Sequence, residues 1–185
     1  LPEGLPGSHD LTEQDDVWKK IVDTDLKFET NMTIKYSDIG YITLGKVIES
    51  ISNMKLNEFA KSEIFDKLNM VDTGYLPKDI RRCAPTELRE DKVYNGYLRG
   101  RVHDETAFAL GGVAGHAGLF STIKDTSIFL QMLLNNGMHN GVQFLSPATI
   151  DLLYTPQVEE KLGVRINDTR RTLGWINRGA GSSAG

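Results

Sequence analysis

Tyr36-Ser37-Asp38-Ile39-Gly40-Tyr41-Ile42-Thr43-Leu44-Gly45-Lys46-Val47-Ile48-Glu49-Ser50-Ile51-Ser52 is the stretch on which the fold turns. Leu44, Val47, Ile48 and Ile51 recur at i, i+3, i+4 and i+7, the spacing of one apolar face of an α-helix. Ser37 or Asp38 is the natural N-cap, because a short oxygen-bearing side chain can accept one of the unpaired N–H groups of the first turn. Tyr36 is then left at the mouth of the helix, where the positive end of the helix dipole favours negative charge.

Outward from this helix the same patterning predicts a mainly helical chain. Thr12 with Asp15 marks a helix start, and Val17, Trp18, Ile21 and Val22 follow as a short apolar stripe. Leu56, Phe59, Ala60 and Ile64 share one face of a further helix that closes at Leu68-Asn69-Met70, with a polar turn at Asp72-Thr73-Gly74. Thr122 and Asp125 form a capping-box pattern before Phe129, Met132 and Leu133, and Asn135-Asn136-Gly137 stops that helix. Ser146-Pro147 opens a last short helix with Ile150 and Leu153 inward, and Leu173-Gly174-Trp175-Ile176 reads as one strand. Residues 75–120 show little helical periodicity but carry six glycines between Gly96 and Gly118, which predicts a long ordered loop region.

The 185 residues are one domain's worth of chain. Charged residues are 25% of the total, of both signs and interspersed, and the net charge is −4, which argues against a general nucleic-acid or anionic-membrane surface. No apolar run approaches the roughly 20 residues that span a bilayer. Cys83 stands alone, so neither a disulfide framework nor a Cys-based zinc site can be built. A start at Leu1 without Met and an end at Ala184-Gly185 read as those of a piece of something longer.

Several matches to chemical motifs have simpler explanations. Gly40 to Lys46 fits most of a phosphate-binding loop, but Val47 replaces the hydroxyl residue and the match lies inside the predicted helix, whose N–H groups are already bonded. Asp72-Thr73-Gly74 is the aspartic-protease tripeptide without the second copy that this chemistry needs. Gly181-Ser182-Ser183-Ala184-Gly185 fits a nucleophile elbow with no helix after it. Ser52 to Lys55 and Ser121 to Lys124 have Ser-x-x-Lys spacing, but each Ser sits where a helix ends or begins. His103, Asp104 and His116 share one glycine-rich region and can orient a substrate or hold a metal, though their spacing matches no standard zinc signature.

Four segments together resemble the serine β-lactamase and penicillin-binding-protein-like hydrolases, on the class C β-lactamase and esterase side. They are Tyr36 to Gly45, Ile64 to Gly74, Gly115-His116-Ala117-Gly118-Leu119-Phe120-Ser121-Thr122, and Phe129 to Gly137. Their order and spacing match as well, and the resemblance covers about residues 24–175. It implies a single-domain fragment: the helical lobe of an α+β fold, mainly α, with little or no sheet and a long Gly-rich loop region. Tyr36-Ser37-Asp38 resembles the family's Tyr-x-Asn motif, so Tyr36 and Asp38 are the implied catalytic residues. Asp38 stands where these enzymes commonly carry Asn; an ionised carboxylate accepts hydrogen bonds and donates none, which fits an esterase or peptidase-like member better than a β-lactamase. A nearby Lys and the helix dipole are expected to lower the Tyr36 pKa.

Ser37, His103, Asp104, Gly115, His116, Ala117 and Gly118 are the residues the resemblance places beside the substrate. The implied acyl-enzyme mechanism needs no metal and no cofactor. Its partner is a small-molecule or peptide acyl substrate: a β-lactam, a D-Ala peptide or an ester. The family's Ser-x-x-Lys is expected before Tyr36 and its Lys-Thr-Gly or His-Thr-Gly strand after Trp175, so the nucleophile and its Lys are expected outside this chain and the fragment alone is expected to be inactive. A non-catalytic peptidoglycan- or peptide-binding module that kept the lobe alone is the alternative. The apolar face that a missing sheet would cover is expected to be exposed and to drive self-association. Family members commonly face the cell envelope, the resemblance's only indication of location.

Overall fold

The computed structural model describes residues 14–29, 35–90, 94–156 and 169–178. The chain divides into two compact units, Leu1–Lys27 with Lys35–Thr126, and Phe28–Ile34 with Ser127–Gly185. Helices dominate the described residues, and their strands form four separate antiparallel pairs. The coarse expectation of a mainly α chain therefore holds.

In the first unit, α1 (Gln14–Val22) and α2 (Asp38–Ser52) are followed by α3 (Leu56–Ala60), a π-helical turn (Lys61–Phe65) and α4 (Asp66–Leu68). Thr12, expected to start α1, lies outside the described residues. Val17 and Ile21 of α1, Ile39 and Ile42 of α2, Ala107 and Ala109 of α5 (Glu105–Ala109), and Val102, Leu110 and Ala114 form one buried cluster, with Trp18 packed against it. Val22, expected to complete the α1 stripe, is exposed.

α2 corrects the sequence reading most. Its buried face is Ile39, Ile42 and Gly45, while Leu44, Val47 and Ile51 are exposed, Ile51 at 82%. The helix has apolar residues on two sides, and the longer stripe is the outward one. After α3, the π turn adds one residue to the usual period, so Phe65 rather than Ile64 takes the buried position that leads on to Leu68. Asn69, in the left-handed conformation, ends the run.

The stretch 75–120, read as loop, contains two short strand pairings and α5. β1 (Gly74–Tyr75) pairs with β4 (Leu119–Phe120), and β2 (Leu88–Glu90) pairs with β3 (Asn95–Tyr97). α5 is only five residues, too short to show a period, and is announced by Asp104, whose side chain accepts the Ala107 N–H at 2.7 Å.

The second unit holds most of α6 (Ile123–Leu134), the hairpin β5 (Met138–His139) and β6 (Val142–Gln143), α7 (Pro147–Tyr154), and the pair β7 (Thr169–Arg171) and β8 (Ile176–Arg178). Met132, Leu133 and Ile150 are buried there. Asn140 and Gly141, both at positive φ, make the two-residue turn of the β5–β6 hairpin. Ser146 caps α7 as expected, accepting the Thr149 N–H at 3.1 Å. The single strand expected at Leu173 to Ile176 is instead the turn and first residue of a hairpin, with Gly174 at φ +82° and β8 beginning at Ile176. Among the described residues no helix is long and apolar enough to cross a membrane.

Candidate functional site

The site is built at the start of α2. Ser37 has an extended backbone, and its Oγ accepts the Gly40 N–H at 3.1 Å, which satisfies one of the free first-turn donors. This cap turns the chain out of the helix at Tyr36, whose side chain is 61% exposed. Asp38 is the first residue of α2, two positions after Tyr36. The Asp38 carboxylate acting on the phenol, first as a hydrogen-bond acceptor and then as a charge, followed by slight burial and the charges of Asp104 and Tyr41, holds the Tyr36 pKa above its ordinary value of 10.0. The direction is opposite to the expected one. The groups acting on the phenol are two carboxylates and a second phenol, and each stabilises its neutral form.

The segment Ala114 to Gly118 lies against the same helix. A Cβ on Gly115 would stand 2.0 Å from the Tyr41 carbonyl oxygen, and one on Gly45 would stand 3.2 Å from the Gly115 nitrogen. Gly115 thus allows the loop and helix backbones to touch where any Cβ would clash, and Gly45 keeps the helix side of that contact clear. The Tyr75 hydroxyl donates to the Ala114 carbonyl at 3.2 Å and holds the loop from its other side; burial raises the Tyr75 pKa. Nothing in the sequence spacing singles out Tyr75.

Of the three residues expected to act together at His103, Asp104 and His116, the structure pairs only two. His116 Nε2 lies 2.8 Å from Asp104 Oδ1, with the His116 side chain 4% exposed. His103 turns to Glu87, 3.0 Å from its Oε2, and is exposed. Burial alone would raise the Asp104 pKa, but the His116 hydrogen bond and charge and the N–H groups of Ala107 and Thr106 outweigh it, and the carboxyl titrates below its ordinary value.

A groove of about 1220 Å³ runs beside β1 and β4, lined among others by His103, Asp104, Ala117, Gly118 and Ser121. Tyr36, Ser37, Asp38, Gly115 and His116 are not among its lining residues. Asp104 lines the groove, and its charge is also among those acting on Tyr36.

The remaining motifs take structural places. Gly40 to Lys46 is interior to α2. Ser52 donates to the Ile48 carbonyl at 2.7 Å and accepts the Met54 N–H. Ser121 lies 2.8 Å from the Thr73 hydroxyl. Asp72 pairs with Arg82, and the backbone N–H of Asp72 and the Thr73 hydroxyl both donate to Asp125. Residues 181–185 lie outside the described residues. Among the described residues no group of three or more His, Cys, Asp and Glu side chains is arranged to hold a metal ion.

Residues 2–184 match the family model described as Beta-lactamase. The chain is 30% identical to a Bacillus subtilis (strain 168) protein described as "N-acetylmuramyl-L-alanine amidase", over 95% of this chain and 41% of that protein. It is 34% identical to an Escherichia coli O157:H7 protein described as "Putative D-alanyl-D-alanine carboxypeptidase", over 78% of this chain and 37% of the other. In fold it is similar to the crystal structure of a penicillin binding protein from Bacillus halodurans, with a TM-score of 0.66 at 19% identity, covering 94% of this chain and 49% of that one. The chain belongs to the serine β-lactamase and penicillin-binding-protein-like family of hydrolases. It spans about two fifths of the length of these curated relatives.

Proposed function

We propose that these 185 residues are the helical lobe of a longer serine acyl hydrolase in which Tyr36 carries the proton. The observation that supports this most is Tyr36 standing exposed at the Ser37-capped mouth of α2, with the Asp38 carboxylate acting on its hydroxyl. In this reading a Ser supplied from outside the chain attacks the acyl carbon. Its proton goes to the Tyr36 oxygen and from there to the departing group, leaving an acyl-enzyme. Water then attacks the acyl-enzyme, gives its proton to Tyr36, and the proton returns to the released Ser. With its pKa raised above the ordinary 10.0, a free Tyr36 stays neutral at working pH, so the base form needs a cation that offsets the carboxylate charges; the Lys of a Ser-x-x-Lys supplied from outside these 185 residues is that cation. Ser37, His103, Asp104, Gly115, Ala117 and Gly118 border the substrate, with the groove beside Asp104 receiving its extended part.

The substrate is an acyl compound of the D-Ala peptide, muramyl peptide or ester kind. The amidase and carboxypeptidase descriptions of the relatives favour a peptidoglycan-derived amide, and Asp38 in place of an amide side chain disfavours a β-lactam. The exposed Leu44, Val47 and Ile51 face of α2 is a surface through which the isolated chain self-associates. Sedimentation equilibrium should give a mass above 20.6 kDa, and a monomer at all concentrations contradicts that part.

The test of the function is intact-mass analysis after incubation with a fluorescent penicillin and with an activated D-Ala ester. The protein from the full reading frame is expected to gain one acyl group on a Ser absent from these 185 residues, and this chain alone is expected to gain none. Acylation of a Ser within the chain overturns the proposal.

A further inference from the structure

Arg101 is a half-buried cation on the wall of the groove beside β1 and β4. Its guanidinium carbon lies 3.5 Å from the centroid of the Phe108 ring, on α5, and 5.6 Å from that of the Tyr94 ring. The Tyr94 hydroxyl donates to the Tyr97 carbonyl at 3.0 Å, which fixes that ring in turn. The backbone at Arg101 is fixed as well. Gly100 precedes it at φ +66°, so close to Ile80 that a Cβ would stand 2.4 Å from the Ile80 side chain, and Val102 after it is buried. A guanidinium stacked on aromatic rings keeps its face dry and loses little further rotamer freedom when an acceptor reaches its N–H edge.

The other charges of the groove are already engaged. Its carboxylates Asp72, Asp79 and Asp104 pair with Arg82, Arg81 and His116, and its Lys61 pairs with Asp66. Among the described residues neither the Arg101 guanidinium nor the ammonium of Lys78, which also lines the groove, takes part in a hydrogen bond or an ion pair. All of these residues belong to the first unit. Covering Phe108 requires only an apolar stem. A fixed plane of unpaired N–H donors in a concavity is the complement of a pair of anionic oxygens.

We propose that the groove is a subsite for an anionic group, in which Arg101 takes a carboxylate of the ligand on its N–H edge and Lys78 adds positive charge to the same groove. The choice of a carboxylate rests on the reading of the chain as the lobe of an acyl hydrolase; the group then belongs to the peptide part of the acyl substrate. Inorganic phosphate offers the same kind of oxygens and is the competing ligand in the test.

The test is titration calorimetry of the protein from the full reading frame with N-acetyl-D-glutamate, with its diamide and with inorganic phosphate. The diacid is expected to bind about tenfold or more tightly than the diamide, the size of one charge-assisted hydrogen bond. Arg101→Lys, which keeps the charge and loses the planar fork, should weaken the diacid by about tenfold or more. Phe108→Leu, which removes the ring under the guanidinium, should weaken it by about two- to fivefold. Equal affinity for diacid and diamide overturns the proposal, as does Arg101→Lys within about twofold of the native protein, well under the loss of one such bond. Phosphate binding more tightly than the diacid overturns the assignment to a carboxylate. If Arg101→Lys does not fold, Phe108→Leu and Lys78→Gln, which should also weaken the diacid and leave the diamide unchanged, still decide it. Binding at equilibrium needs no turnover, so the outcome is separable from the hydrolase reading: a protein that is never acylated yet binds the diacid through Arg101 removes the hydrolase and leaves the subsite, whereas acylation with Arg101-independent binding removes the subsite alone.

Discussion

Asp104 and Asp125 hold equivalent places in the chain and do different things. Each lies at the start of a helix and ties that start to a distant turn. Asp125 is 1% exposed, donates its own N–H to Thr122 Oγ1 at 3.2 Å, and its Oδ2 accepts the Asp72 N–H at 2.7 Å and the Thr73 hydroxyl at 2.8 Å. These partners are neutral, and its Oδ1 has none among the described residues. Asp104 is half-buried, takes a His as partner and lines the groove, and its charge acts on the Tyr36 phenol. A buried carboxylate served by neutral donors is a structural knot. A partly solvated one with titratable neighbours on two sides is where a charge can change during a reaction.

The comparison can be broken by mutating the two residues in parallel. The larger effect is expected at Asp125. Asp125→Ala leaves the Asp72 N–H and the Thr73 hydroxyl without their acceptor and should destabilise the fold by about 2–4 kcal/mol in urea unfolding. Asp125→Asn keeps a carbonyl acceptor and should lose less than half as much. A change within about 0.5 kcal/mol for Asp125→Ala, the range of an ordinary surface substitution, contradicts the assignment of Asp125 as a knot.

Asp104→Asn should be modestly less stable than the native chain at pH 7, and the difference should close in acid. The folded-state pKa of Asp104 is depressed below its ordinary 3.8, so over that window the native state binds fewer protons than the unfolded one. The resulting stabilisation is complete above the ordinary value and fades as pH falls through the folded value. Solvent screening of a half-buried group limits it to about 1 kcal/mol or less. Asp104→Asn should therefore flatten the acid side of the stability curve without abolishing the slope, since Glu49, Asp72 and Asp79 are depressed as well. An unchanged acid slope contradicts the Asp104–His116 pairing.

What was legible in the sequence was what is local. The Ser37 cap, the position of Tyr36 outside α2 and the Ser146 cap follow from side chains reaching three residues along the chain, and the structure has them as read. The inward face of α2 was misread because apolar spacing identifies a stripe but not its neighbour; Gly45, which decides the face by admitting Gly115, carries no hydrophobic signal. The Phe65 register moved by one residue because a π turn has no composition of its own. The Asn140-Gly141 hairpin is a signal that the sequence carries plainly and that the helical reading passed over. The contacts that define the site and the knot, His116 to Asp104 across 12 residues and Asp125 to Asp72 across 53, depend on tertiary packing and have no local signature. The Tyr36 pKa differs from the expected direction for a related reason: its helix end is visible in the sequence, but the net effect of the Asp38 and Asp104 charges on its hydroxyl is not.

The account stands or falls on Tyr36 as the proton carrier, and the most direct measurement is the rate of acyl-enzyme formation by the full-length protein carrying Tyr36→Phe. Loss of a positioned proton carrier predicts acylation slowed by roughly 10²–10⁴-fold, with substrate binding little changed. Acylation of Tyr36→Phe within about threefold of the native rate, far short of that range, contradicts the account.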